Sequence, residues 1–322
     1  MSDKDLPRVA VLDDYQQVAR RMADWSVLEG RAAVSVFHDH LVDPAAVIER
    51  LKPFTIVCVM RERTPMPRAI LAALPNLKLL CSTAHRNASI DVDAARELGI
   101  EVRHTGYTEH GAAEHTWALI LGIARRIPAE SALLRAGGWQ TAIGADLQGR
   151  TLGVVGLGKL GSRIAAVGKA FRMNVIAWSQ NLTAEKCAEG GATLVSKEEL
   201  FRRADFVTLH LVLSARSRGI VSAQDLSLMK PTAYLINTSR GPLIDEAALV
   251  EALRAKRIAG AALDVFDVEP LPAGHPFRTL DTVLATPHIG FVTEETYRLF
   301  YGDTVANIDG WLQARSRPSA PP

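Results

Sequence analysis

The sequence predicts an α/β protein with two open parallel sheets, each covered by helices. Three observations carry this expectation. The 322 residues exceed the usual size of one hydrophobic core, so two domains of about 150 residues each are expected. Apolar residues make up 48% and charged residues 22%, the balance of an ordinary globular protein. Short apolar runs alternate with amphipathic stretches from end to end, the pattern of parallel strands joined by crossover helices.

In the first third, strands are expected at Val9–Leu12, Val34–Phe37, Thr55–Val59, Leu77–Cys81 and Ile100–Val102. Between them Asp43–Leu51, Pro67–Leu74 and Val92–Leu98 read as helices, the first with Asp43 as N-cap and Pro44 at its first position. Gly111–Ile127 (GAAEHTWALILGIARRI) reads as a helix, apolar nearly all round in its second half and therefore buried between layers or domains. The domain join falls there. A second strand series follows at Leu152–Val155, Val175–Trp178, Phe206–Leu209, Ala233–Ile236, Gly260–Leu263 and Val283–Ala285. The amphipathic stretch Glu294–Leu312 comes after this sheet is complete, so it is expected to return to the first domain. Only Arg315–Pro322 (RSRPSAPP) reads as disordered.

The formal charge of +2 comes from 37 basic and 35 acidic residues mixed along the chain, which leaves no electrostatic footprint for nucleic acid. Cys58, Cys81 and Cys187 form no CxxC pair, and no metal site is expected. Two of them sit in apolar runs, as inert core cysteines do, which suggests a reducing compartment. The segment MSDKDLPRVAVLDDY passes from charges straight into a strand, without a signal-peptide core. No apolar run approaches the ~20 residues a membrane span needs. A cytoplasmic protein is expected.

The strongest local signal follows the strand at Thr151–Val155: Gly156-Leu-Gly158-Lys-Leu-Gly161, running into a helix from Ser162 to Phe171. In this strand–turn–helix context G-x-G-x-x-G is a dinucleotide-binding turn. Gly156 permits the tight turn, Gly158 lets backbone approach a pyrophosphate, and Gly161 lets helix and strand pack closely. The helix N-terminus offers N–H groups and a positive dipole end to the phosphates. Such sites usually carry an acid about 20 residues on, which binds the adenosine ribose. Here the next strand ends Trp178-Ser179-Gln180-Asn181, with no acid until Glu185. A carboxylate there would repel a 2′-phosphate, and no arginine follows to claim one. Ser179 and Asn181 suit either cofactor, so NAD and NADP both stay open.

Three later segments carry chemistry, each after a strand: Asn237-Thr-Ser-Arg240-Gly241, Asp264-Val-Phe-Asp-Val-Glu269-Pro270 and Thr286-Pro287-His288-Ile289-Gly290. In open α/β sheets ligands bind beyond the carboxyl ends of strands, so Arg240, Glu269 and His288 are expected to converge in one crevice with the nicotinamide. Reducing a keto acid needs a proton donor at the forming alkoxide, which histidine supplies near neutrality. Glu269, hydrogen-bonded to the second ring nitrogen, favours the imidazolium, and Arg240 offers paired donors to a planar carboxylate. Singly, Arg240 is more often a surface ion pair, Glu269 before a proline more often a solvated loop acid, and His288 after Pro287 reads also as a structural hydrogen bonder. Together, downstream of the dinucleotide turn, they point to hydride transfer at the alpha carbon of a small 2-keto or 2-hydroxy acid.

TLGVVGLGKLGSRIA, LMKPTAYLINTSRGPLIDEAALVEAL, AGAALDVFDVEPLP and TPHIG together resemble the D-isomer-specific 2-hydroxyacid dehydrogenase family, and the resemblance runs from about Leu74 to Gly310. It implies two Rossmann-like/flavodoxin-like domains: a discontinuous substrate domain from residues 1–114 and 292–322, and an NAD(P)-binding domain from 115–291. It implies Arg240, Glu269 and His288 as the catalytic set, and cofactor contacts from the Gly158, Lys159 and Leu160 backbone, His210, Thr238, Asp264 at the nicotinamide amide, and Gly290. It also implies a homodimer formed around the coenzyme domain.

Departures limit the transfer. Where the family carries a glycine-rich loop whose N–H groups bind the substrate carboxylate, this chain reads Ser82-Thr83-Ala84-His85-Arg86-Asn87, so Thr83, Ala84 and His85 become the expected substrate contacts. Either His85 and Arg86 recognise an extra substrate group, or they face solvent while the backbone does the work. Arg61 matches a position that meets substrate phosphate in some relatives, and its flank Glu62-Arg63 reads equally as surface charge. Phe291 and Tyr297 replace small residues, either narrowing the pocket or packing between domains. An NAD(H)-sensing regulatory protein of the corepressor type is the alternative, although such proteins need extended disordered arms. Formate oxidation is disfavoured, because that branch carries glutamine where Glu269 stands.

Overall fold

A computed structural model describes residues 6–85 and 87–316. The chain divides into two compact units, one made of the stretch up to Thr108 and the segment from Val292 onward, the other of Glu109–Phe291.

In the first unit the strands are β1 (Arg8–Val11), β2 (Ala33–Val36), β3 (Ile56–Val59), β4 (Leu79–Ser82) and β5 (Glu101–His104). They form one parallel sheet in the order β2-β1-β3-β4-β5. β3 (IVCV) and β4 (LLCS) are buried at every residue, whereas β2 and β5 at the two edges are half-covered. That is why the central runs read as continuous apolar segments. The crossovers carry α1 (Ala19–Met22), α2 (Pro44–Leu51), α3 (Arg68–Ala72) and α4 (Val92–Glu97). α2 starts as expected, with the Asp43 carboxylate accepting the Ala45 and Ala46 N–H groups and Pro44 at the first position. Val47, Leu51, Ile70, Leu71, Ala94 and Ala95 close one core over Val57, Val59 and Leu80.

In the second unit the helices are α5 (His110–Ala124), α6 (Ile127–Arg135), α7 (Lys159–Ala170), α8 (Ala184–Glu189), α9 (Lys197–Arg203), α10 (Ala223–Leu228) and α11 (Glu246–Arg254). The strands are β6 (Thr151–Val155), β7 (Asn174–Trp178), β8 (Thr193–Leu194), β9 (Phe206–Leu209), β10 (Tyr234–Asn237), β11 (Gly260–Leu263) and β12 (Val283–Ala285). All pair in parallel, in the order β12-β11-β10-β9-β6-β7-β8. The strand order reverses between β6 and β9, the switch point beside which open sheets bind ligands. The six expected strands are present, and the short, exposed β8 is an addition.

One long helix was expected over Gly111–Ile127, and the structure corrects this. α5 ends at Ala124, Arg126 turns left-handed with φ 51°, and α6 begins at Ile127. Pro128 explains the break, since it has no N–H for the Ala124 carbonyl and its ring would crowd that oxygen. The carbonyl accepts the Ala145 N–H at 2.8 Å instead. α5 packs on β10, β11, β12 and α7 of its own unit.

The last helix, α12 (Glu294–Ser316), belongs to the first unit and packs on β4, β5 and α1. It outruns the expected end at Leu312, and Arg315, read as the start of a disordered tail, is helical with its guanidinium 4.1 Å from the Trp311 ring centroid. The remainder of that tail, residues 317–322, lies outside the described residues.

Candidate active site

The turn after β6 has the shape a pyrophosphate needs. Gly156 has φ 98°, and a Cβ on it would stand 2.7 Å from the His210 carbonyl oxygen. A Cβ on Gly161 would meet the Gly156 oxygen at 2.0 Å, so helix and turn touch through backbone. At Gly158 nothing lies within 4 Å of the corresponding position, and this residue caps α7 without any side-chain acceptor. The N–H groups of the first turn of α7 are therefore left to a ligand. Lys159, mostly exposed, reaches Glu109 at 3.2 Å, and Leu160 follows it in the same turn of α7. His210 flanks the turn with Nε2 2.9 Å from Thr208 Oγ1 and with Nδ1 buried and unpartnered. Burial pushes the imidazole down to about 3, so it is neutral. Ser179 lies just past β7, where its carbonyl accepts the Leu182 N–H. These features fit a dinucleotide.

At the end of β10 the Asn237 side chain donates to the Arg240 carbonyl at 2.8 Å and accepts the Ser239 N–H at 3.0 Å, which shapes the loop that carries Arg240. Thr238 meets Thr116 of α5 at 2.7 Å; the Thr116 hydroxyl donates to the Ala112 carbonyl. The Arg240 guanidinium donates to the Ser239 carbonyl at 2.7 Å. Gly241 packs so tightly that a Cβ would fall 2.0 Å from the Phe266 carbonyl carbon. The Arg240 loop and the segment bearing Glu269 are thus fitted against each other through backbone.

His288 Nδ1 lies 2.6 Å from Glu269 Oε2, while Glu269 Oε1 accepts the Phe266 N–H at 2.9 Å. His288 has a left-handed backbone, φ 51°, which for a non-glycine residue costs about 1–3 kcal/mol. Phe291, buried, packs edge-on to the imidazole with ring centroids 5.4 Å apart. Asp264 sits under this turn, 1% exposed, accepting from Thr286 Oγ1, Ile289 N and Gly290 N at 2.6, 2.8 and 2.8 Å. Burial pushes its carboxyl up, but hydrogen bonds from His115, Thr286 and Ile289 outweigh that and leave it below its ordinary value. His115, on α5, escaped the sequence reading; a lone histidine in an apolar helix carries no signal that separates it from a satisfied core residue.

In the first unit, the loop after β4 is more committed than expected. The Thr83 N–H donates to Val59 O at 3.3 Å and the Ala84 N–H to Thr105 Oγ1 at 2.9 Å. Thr83 Oγ1 accepts the Arg61 N–H at 2.7 Å. Ala84 occupies a left-handed backbone, φ 65°. His85 is exposed, and Arg86 lies outside the described residues. The Arg61 guanidinium stands 5.4 Å from the Tyr107 ring centroid. Tyr297 is buried against Arg63 and Gln16.

Residues 117–290 match the family model described as the D-isomer specific 2-hydroxyacid dehydrogenase NAD binding domain, more than half of the chain. A glyoxylate reductase of Aeropyrum pernix is 38% identical over 260 residues, 78% of each chain. The chain belongs to the D-isomer specific 2-hydroxyacid dehydrogenase family. A D-3-phosphoglycerate dehydrogenase of Methanocaldococcus jannaschii is 40% identical over 256 residues, 78% of this chain but 48% of that protein. The crystal structure of a phosphoglycerate oxidoreductase from Vibrio cholerae superposes with a TM-score of 0.91 at 38% identity, covering 96% of this chain and 100% of that one. Family membership makes the second unit an NAD-binding domain and the chain an oxidoreductase of 2-hydroxyacid dehydrogenase type. Among the described residues no helix is long and apolar enough to cross a membrane, and no cluster of metal-ligating side chains occurs.

Proposed function

We propose that this protein interconverts a small 2-keto acid and its D-2-hydroxy acid, with His288 as acid/base, Glu269 as its partner and Arg240 as the substrate-binding cation. The observation that carries the reading is the 2.6 Å contact between His288 Nδ1 and Glu269 Oε2 on a unit that also bears the dinucleotide turn. With the carboxylate on Nδ1, the ring's Nε2 is the nitrogen that passes a proton to the substrate oxygen. A bound nicotinamide dinucleotide supplies or accepts the hydride. The Gly156–Gly161 turn, the Lys159 and Leu160 backbone, Ser179, His210, Thr238, Asp264 and Gly290 are the residues proposed to hold it. Arg240 orients the carboxylate so that the alpha carbon faces the hydride and its oxygen faces His288. Thr83, Ala84 and His85 are the proposed substrate contacts of the first unit. Because the Thr83 and Ala84 N–H groups are already engaged, the exposed His85 is the member of that set best placed for a ligand.

A homodimer is part of this proposal. α6 buries none of its residues, and Ile127, Leu134, Trp139 and Ile143 are 53, 58, 74 and 99% exposed, an apolar stretch on the second unit suited to a second copy of the chain. Light scattering with Trp139→Asp tests it. The free state of Cys58, Cys81 and Cys187 supports a reducing, cytoplasmic setting.

A screen of the purified protein against glyoxylate, hydroxypyruvate, pyruvate, phenylpyruvate and 3-phosphohydroxypyruvate, with NADH and NADPH in parallel, tests the reading. Turnover of at least one is expected. Dinucleotide binding with no turnover of any would favour a sensor.

A further inference from the structure

α5 carries two neighbouring polar side chains, His115 and Thr116, ahead of its apolar second half, and they serve different strand ends. Thr116 meets Thr238 after β10, as described above. His115 Nε2 lies 2.9 Å from Thr286 Oγ1 and 3.2 Å from Asp264 Oδ1. The Thr286 hydroxyl donates to that same carboxylate oxygen at 2.6 Å. With its proton directed there, the threonine has only a lone pair to offer, so His115 carries its proton on Nε2 and donates. Asp264 in turn accepts the Ile289 N–H on Oδ1 and the Gly290 N–H on Oδ2, both at 2.8 Å.

These bonds enclose the turn on which His288 sits. Its N–H is tied back to the Thr286 carbonyl at 3.0 Å, and the two N–H groups after it are tied to Asp264. A Cβ at Gly290 would stand 3.0 Å from Asp264 Oδ2 and 3.6 Å from His115 Cδ2, so helix, carboxylate and turn are packed without slack. A left-handed histidine persists only where its surroundings over-determine it. Asp264 supplies that constraint, and His115 with Thr286 fixes the orientation of Asp264. The ionisable groups that meet the turn in the described contacts are Asp264 and Glu269 from the segment after β11 and His115 from α5.

We propose that His115 is a positioning residue for His288: through Thr286 and Asp264 it holds the Thr286–Gly290 turn in the left-handed form that presents His288 to Glu269. This rests on the reading of His288 as the acid/base, and it treats the Asp264 carboxylate as the anchor of the turn.

The test uses His115→Ala, His115→Gln and Thr286→Val in the full chain. Histidine side chains are labelled with 13C at Cε1, and the His288 signal is assigned by its loss in His288→Asn. In His115→Ala and Thr286→Val the midpoint of the His288 titration should fall by about half a pH unit or more, because the imidazolium loses its fixed carboxylate partner. His115→Gln, whose amide N–H reaches the same oxygens, should keep the wild-type midpoint. With an accepted keto acid, kcat should fall about 10- to 100-fold in His115→Ala, the cost of a small misplacement, and His115→Gln should restore it. Wild-type titration midpoints in the folded Ala and Val variants overturn the proposal, as does loss of the midpoint in Gln equal to that in Ala. Should His115→Ala not fold, Thr286→Val decides. The titration needs no turnover, so a failed substrate screen sinks the acid/base reading without obscuring this result.

Discussion

Glu269 uses its two oxygens for two purposes: Oε2 meets His288 Nδ1 at 2.6 Å, and Oε1 accepts the Phe266 N–H at 2.9 Å. The backbone bond keeps the carboxylate from rotating away when the imidazole changes charge. The pair is partly open to solvent, with 22% of the His288 side chain and 34% of the Glu269 side chain exposed. Hydride addition to a ketone develops negative charge on oxygen, and a positioned acid there is worth about 10² to 10⁴ in rate. His288→Ala should therefore lower turnover by about that factor with the fold intact. Glu269→Gln keeps the shape and removes the charge that stabilises imidazolium. As pH rises, its reduction rate should decline at lower pH than in wild type. The oxidation direction, which needs the neutral ring, should gain at its acid edge. An unmoved pair of pH profiles would leave His288 without its partner.

Arg240 is held by its own loop, through Asn237 on its carbonyl and Ser239 on its guanidinium. Losing a paired, charge-assisted contact of about 1.5–3 kcal/mol corresponds to a fall of roughly 10- to 150-fold in kcat/KM. Arg240→Ala should show that fall with every accepted 2-keto acid, while dinucleotide binding by fluorescence stays near wild type. Parallel loss of both would identify a structural ion pair instead.

The legibility of the chain followed physical scale. Buried parallel strands such as Ile56–Val59 are continuous apolar runs, and the Gly156–Gly161 turn states its backbone needs through glycine, so both can be read directly. β8, two exposed residues, has no period to detect. The end of α5 was signalled by Pro128, but the apolar pattern around it runs on unbroken and outweighed that cue. Ala84 and His288 adopt left-handed backbones that their residue types ordinarily avoid, so neither announces itself in sequence. The engagement of the Thr83 and Ala84 N–H groups depends on where β3 and β5 end relative to β4, a tertiary fact. His115 acts through a threonine 171 positions away.

Cofactor choice turns on the end of β7. Ser179 stands where an acid would repel a 2′-phosphate, so the site should accept NADP as well as NAD, and Ser179→Asp should lose NADPH use while keeping NADH use. Steady-state kinetics with both cofactors checks this. A wild type that already rejects NADPH by about a hundredfold, close to 3 kcal/mol, would contradict it.

His210 gives the second unit a pH dependence whose sign can be worked out. Burial holds its imidazole at about 3, against 6.5 for the exposed ring of an unfolded chain. Above pH 6.5 both states are neutral and the residue carries no penalty. As pH falls below that value the unfolded chain takes up a proton that the folded protein refuses, so stability is lost progressively from 6.5 down towards 3. His210→Gln keeps a partner for Thr208 and cannot titrate. Between pH 7.5 and 5 its Tm should therefore fall less than that of wild type, by about 2 °C or more for a unit of this size. The same neutrality bears on the cofactor. Beside the Gly156 turn, His210 should act as a hydrogen-bonding group and not as a cation, so dinucleotide affinity should change equally with pH in wild type and His210→Gln. A steeper pH dependence in wild type would mean that bound pyrophosphate draws a proton onto His210, which burial opposes.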